Sequence, residues 1–265
     1  MDVLTRNNVR LAGPAGAPPM MLAHGFGCDQ GMWRYVVPQL AESFRVILFD
    51  HTGAGGSDAS AFDVVRHGSL DGYAADVVEI LDALELGPVT FVGHSVSAMI
   101  GVLAAIARPD LVDRLVLVGP SPRYVDDGEY RGGFSQAEIA ELLETMDANY
   151  LGWSAVVAPV IMGAPDRPEL AEELVTSFCG QDPAIARHFA RTTFLSDNRA
   201  DLPRLARPAL VVQCRDDAIA PQAVGRYVAA HIPRSELVIL DAVGHCPNLS
   251  APDELVATMR RYLAG

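Results

Sequence analysis

Short apolar runs alternate along this chain with longer stretches in which apolar residues recur every three or four positions. Met20 to Ala23, Arg45 to Phe49, Val89 to Val92, Arg114 to Val118, Ala209 to Gln213 and Glu236 to Leu240 read as strands. Tyr73, Val77, Ile80, Leu81 and Leu84 keep the spacing of one helix face. This alternation predicts an α/β fold, a mostly parallel sheet covered by helices on both faces. Right-handed crossovers bring the strand C-termini to one edge, where open sheets of this kind bind ligands.

Between Pro120 and Pro208 the rhythm changes to helical patterns without a strand. Ser135 followed by Glu138 forms a capping box ahead of Ile139, Leu142 and Leu143, and Pro168 and Pro183 stand as first-turn prolines of two further helices. The expected organisation is a core of residues 1–120 and 208–265 and a helical cap of residues 121–207. The cap is inserted late in the sheet and lies over the strand edge.

With 265 residues, half of them apolar, the chain can bury a substantial core in one or two domains. No apolar run approaches the roughly 18 residues needed to span a bilayer. The first residues, MDVLTRNNVRLAG, lack the apolar core of a signal peptide, so a cytoplasmic protein is expected. A formal charge of −13 argues against a nucleic-acid partner. All 20 basic residues are arginine, which removes lysine Schiff-base chemistry. Cys28, Cys179, Cys214 and Cys246 are widely spaced with no C-x-x-C pair, the pattern of reduced, mostly buried thiols. The glycine-rich stretch Asp50 to Ser57 lacks the G-x-G-x-x-G form, and His188 has no partner at metal-ligand spacing. Neither a cofactor nor a metal is expected.

Candidate chemistry centres on Gly93-His94-Ser95-Val96-Ser97, which joins the strand Val89 to Val92 to a helix bearing Ala98, Gly101, Ala104 and Ala105. A sharp turn there leaves the Ser95 hydroxyl at the top of the sheet, as in a nucleophile elbow. Ser97 replaces the second glycine of G-x-S-x-G and is still small enough for the turn. A serine hydroxyl needs a base to take its proton and a third group to hold that base. His245, after the last strand, is the candidate base. Asp216 and Asp217 both qualify as the acid, and Asp217 is favoured because Asp217 to Pro221 has a turn-then-helix form. Two backbone N–H groups, of Val96 and of Phe26 in His24-Gly25-Phe26-Gly27, are the expected oxyanion donors. Phe134, Trp153 and Phe194 are the cap aromatics expected to line an apolar pocket suited to a small ester or lactone.

His24-Gly25-Phe26-Gly27, the Ser95 turn, Gln213 to Pro221 and Gly244-His245-Cys246-Pro247 together resemble the RsbQ-like α/β-hydrolase family, as does the cap stretch Thr193 to Arg199. RsbQ is a bacterial α/β-hydrolase required for energy-stress activation of a sigma factor, and the plant karrikin and strigolactone receptors share the pattern. The resemblance implies a Ser95–His245–Asp217 site beneath a helical cap, a small apolar ligand, and a partner phosphatase with a ligand-sensing domain. Two other readings stand beside it. One is a catabolic esterase or carbon–carbon bond hydrolase, and the other a ligand-gated receptor with vestigial hydrolysis. Haloalkane dehalogenase and epoxide hydrolase chemistry is disfavoured, because those relatives carry Asp where Ser95 stands.

Overall fold

Strands β1 (Arg10–Ala12), β2 (Pro19–Ala23), β3 (Arg45–Leu48), β4 (Val89–His94), β5 (Val112–Val118), β6 (Ala209–Asp216) and β7 (Ser235–Val243) make one sheet in the order β1-β3-β2-β4-β5-β6-β7. The structure, a computed structural model, describes residues 2–265. Six strands run parallel, and β1 alone pairs antiparallel, to β3. β1 was absent from the sequence expectation for a physical reason. Its three residues sit at the sheet edge, largely exposed, and so carry neither an apolar run nor an alternation.

The central strands are apolar on both faces because helices cover both. Alternate residues of β2 show the division. Met20 and Leu22 join a cluster with Trp33, Leu40, Leu255 and Met259, while Met21 joins Tyr73, Val77 and Met99 on the other side. The short helix α1 (Val3–Arg6) precedes β1, and α2 (Val37–Leu40) lies between β2 and β3. α3 (Leu70–Leu84) and α4 (Val96–Ala107) flank β4.

Four helices fill the span between β5 and β6: α5 (Gln136–Ala148), α6 (Tyr150–Met162), α7 (Pro168–Cys179) and α8 (Pro183–Phe194). The Ser135–Glu138 capping box starts α5, and Pro168 and Pro183 open α7 and α8. Beyond these helices, the described residues of the insertion form a short 3-10 turn at Leu202–Arg204 and the isolated bridges Val125↔Phe134 and Asp127↔Tyr130. Buried residues of the insertion, among them Ile139, Trp153, Phe178 and Phe194, continue the cluster that contains Met20 and Leu22. α9 (Gln222–His231), α10 (Pro247–Ser250) and α11 (Pro252–Ala264) complete the chain. No described helix is long and apolar enough to cross a membrane.

Candidate active site

Ser95 sits at the junction of β4 and α4 with φ 58° and ψ −124°, a conformation that costs a non-glycine residue free energy. Its surroundings hold it there. The Ser95 N–H donates to Val118 O at 2.8 Å, and its carbonyl accepts from Ala98 N at 2.9 Å. A Cβ on Gly93 would lie 2.3 Å from the Ser97 carbonyl, so only glycine permits the turn to close. Ser97 does more than fit the crowded turn. Its hydroxyl donates to His24 O at 2.5 Å and accepts from His51 Nε2 at 2.7 Å.

The loops after β6 and β7 bring two further groups to Ser95. His245 Nε2 lies 2.8 Å from Ser95 Oγ, and His245 Nδ1 lies 2.8 Å from Asp217 Oδ2. Asp217 Oδ1 accepts from Ile219 N at 2.8 Å and Ala220 N at 3.0 Å, and Gln213 Nε2 donates to Oδ2 at 3.2 Å. Burial pushes this carboxyl up, but the His245 ring and the Ala220 and Ile219 N–H groups outweigh it and hold it below the usual carboxylate range. Asp216 points to solvent, with its carboxylate paired to Arg215. Ser95, His245 and Asp217 therefore form one hydrogen-bonded series, and Asp216 stands outside it.

Gly25 packs against the serine, since a Cβ there would meet His94 Nδ1 at 2.8 Å and Ser95 Cβ at 3.2 Å. The next N–H, that of Phe26, and the N–H of Val96 at the start of α4 donate to no acceptor among the described residues. Both are free to hold a developing negative charge.

His94, the variable position of the elbow, was not singled out from sequence. Its Nε2 donates to the His245 carbonyl at 2.7 Å, fixing the backbone of the residue that faces Ser95. The insertion holds the same residue from the other side. The His245 N–H donates to Ile161 O at 2.8 Å, a carbonyl left free in the last turn of α6.

A cavity of about 40 Å³ opens onto Ser95 and His245. Trp153 and Phe194 line it, and the Phe26 ring packs against both with centroids 6.3 and 6.0 Å away. Phe134 does not reach it. The Val125↔Phe134 bridge and the bond from Phe134 N to Tyr124 O direct Phe134 into a groove with Val156 and Val160, outside Trp153. Tyr124, with its phenol beside the serine, lines the cavity instead. Cys28 and Cys246 also line it. Burial pushes the Cys28 thiol up to about 12, which leaves it protonated and unreactive. Nothing in the residue pattern pointed to Tyr124, Cys28 or Thr193. They converge from a loop and two layers that are distant in sequence.

The profile of the Alpha/beta hydrolase family matches residues 20–258. The chain is 38% identical over 258 residues to "Karrikin insensitive 2 receptor CA" of Petunia hybrida, covering 97% of this chain and 95% of that one. It is 39% identical over 263 residues to "Strigolactone esterase D14" of Arabidopsis thaliana, covering 99% and 98%. The solved structure of a hydrolase from Oleispira antarctica superposes with a TM-score of 0.97 at 42% identity, over 100% of this chain and 97% of that one. The elbow, the seven-stranded sheet and these likenesses agree: the chain belongs to the α/β hydrolase family.

Proposed function

We propose that this protein is a serine hydrolase that cleaves a small, mostly apolar ester or lactone through an acyl-Ser95 intermediate. The observation that carries the reading is the hydrogen-bonded series from Asp217 through His245 to Ser95, with 2.8 Å at both histidine contacts. His245 takes the Ser95 proton as Oγ attacks the carbonyl and returns it to the leaving alcohol. Asp217 orients the ring and stabilises the imidazolium, and the Phe26 and Val96 N–H groups hold the oxyanion. Water activated by His245 then cleaves the acyl-enzyme. Residues 121–207 act as a cap that excludes water and sets the acyl group by the apolar faces of Trp153 and Phe194. A cavity of about 40 Å³ holds little more than one or two waters, so substrate entry requires the cap helices to part.

The output of this chemistry is ligand signalling of the RsbQ type, with a protein phosphatase as partner. Support comes from likeness along nearly the whole chain to proteins named as receptors as well as esterases. A catabolic esterase would use the same residues.

The test is a time course of nitrophenol release from p-nitrophenyl acetate at known enzyme concentration. A burst near one equivalent followed by a slow phase supports a sensor that retains its acyl group, whereas linear release over many equivalents supports a catabolic enzyme. Ser95→Ala should abolish release while leaving the unfolding transition in place. Undiminished release from that variant would overturn the mechanism.

A further inference from the structure

Thr193 lies in the last turn of α8, is 1% exposed, and lines the cavity beside Ser95 and Phe194, yet its Oγ1 has no hydrogen-bond partner among the described residues. A helical threonine commonly returns its hydroxyl to a carbonyl one turn back, and here that bond is not made. Buried hydroxyls without partners are rare in folded proteins and call for a specific explanation. Among the described residues lining the cavity, the other buried side-chain atom without a partner is His94 Nδ1, which has a different character. Gly25 covers it, and because His94 Nε2 carries the proton donated to His245 O, Nδ1 has none to give. Of these two buried side-chain atoms only Thr193 Oγ1 has a proton to donate, and apolar groups such as Leu174 and Ile219 share the wall with it.

We propose that Thr193 is a specificity-determining residue that donates a hydrogen bond to a second oxygen of the substrate, beyond the scissile ester. This rests on the hydrolase reading of the Ser95 site. An ether, carbonyl or ring oxygen fits because it accepts that proton and brings no further proton to bury among the aromatic rings. A methylene in the same place leaves the hydroxyl unpaired in the complex, and the site discriminates against it. The substrate class is then an oxygenated ester or lactone rather than a plain alkyl ester.

The test uses two pairs of p-nitrophenyl esters that differ by one oxygen in place of one methylene: methoxyacetate with butyrate, and 3-methoxypropionate with pentanoate. Each kcat/KM is divided by the rate of hydroxide-catalysed hydrolysis of the same ester, which removes the inductive effect of the oxygen. The wild type should prefer the oxygenated member in at least one pair by about tenfold, the worth of one hydrogen bond. Thr193→Val should erase that ratio and Thr193→Ser should keep it. A wild type without the preference overturns the proposal even if the valine variant fails to fold. So does a ratio that Thr193→Val leaves unchanged, since a merely structural threonine would alter both members of a pair alike. Wild-type protein that releases nitrophenol from none of the four esters would instead sink the hydrolase reading, and this inference with it.

Discussion

Ser97 occupies the place where the elbow pattern calls for glycine, and its hydroxyl bridges the His24 carbonyl and the His51 ring. Restoring the pattern with Ser97→Gly should therefore destabilise the protein, by about 1–2 kcal/mol for the lost bonds. Urea unfolding measures this, and a variant as stable as the wild type would show that the bridge contributes nothing. The two neighbouring aspartates separate in the same residue-level way. Asp217→Asn keeps the shape of the side chain but removes the charge that stabilises a protonated His245, so kcat for p-nitrophenyl acetate should fall by about 10³- to 10⁴-fold. Asp216→Asn breaks only an exposed pair with Arg215 and should change kcat by less than about twofold. Equal losses in the two variants would mean the acid has been assigned wrongly.

At the scale of elements, the end of α6 and the loop after β7 are built as one piece. Gly163, the C-cap of α6, has φ +59°, and a Cβ there would lie 2.7 Å from Gly244 Cα. Two residues earlier, the Ile161 carbonyl receives the His245 N–H. Gly163→Ala must push the two backbones apart, because neither partner is a side chain that could rotate away. The expected result is a kcat reduced about tenfold or more per folded molecule, since small displacements of a reacting group are costly. Circular dichroism alongside kinetics distinguishes this from simple unfolding. A lower Tm with kcat per folded molecule unchanged would show that α6 supports the fold but not the placement of His245.

Across the whole molecule, burial lowers the pKa values of three histidines around the site. His24 is held below its ordinary value, His51 well below it, and His94 is pushed down to about 3, in each case chiefly by burial. Each ring stays neutral in the folded protein while the unfolded chain takes up a proton near pH 6.5. The stabilisation from these neutral rings is complete above that pH and is lost as pH falls, for His94 down to about 3. The slope is about 1.4 kcal/mol per pH unit for each ring within its window. Urea midpoints taken from pH 7.5 to pH 5 should fall steadily below pH 6.5. A flat profile would mean that these rings accept protons in place.

The apolar runs and their spacing contain the parallel strands, the helical insertion and the positions of Ser95 and His245, because each depends on residues adjacent in sequence. Val89 to Val92 must be a strand, and glycine at 93 lets the backbone turn whatever lies further away. β1 was not legible, since three exposed edge residues are defined only by the partner they find in β3. Nor could local pattern direct the ring of Phe134, which a bridge to Val125 sends into the outer groove while Tyr124 comes to stand beside Ser95. The His94 bond to His245 and the unpartnered hydroxyl of Thr193 belong to the same class. They depend on which side chains meet across layers far apart in sequence, and only the packed tertiary structure decides that.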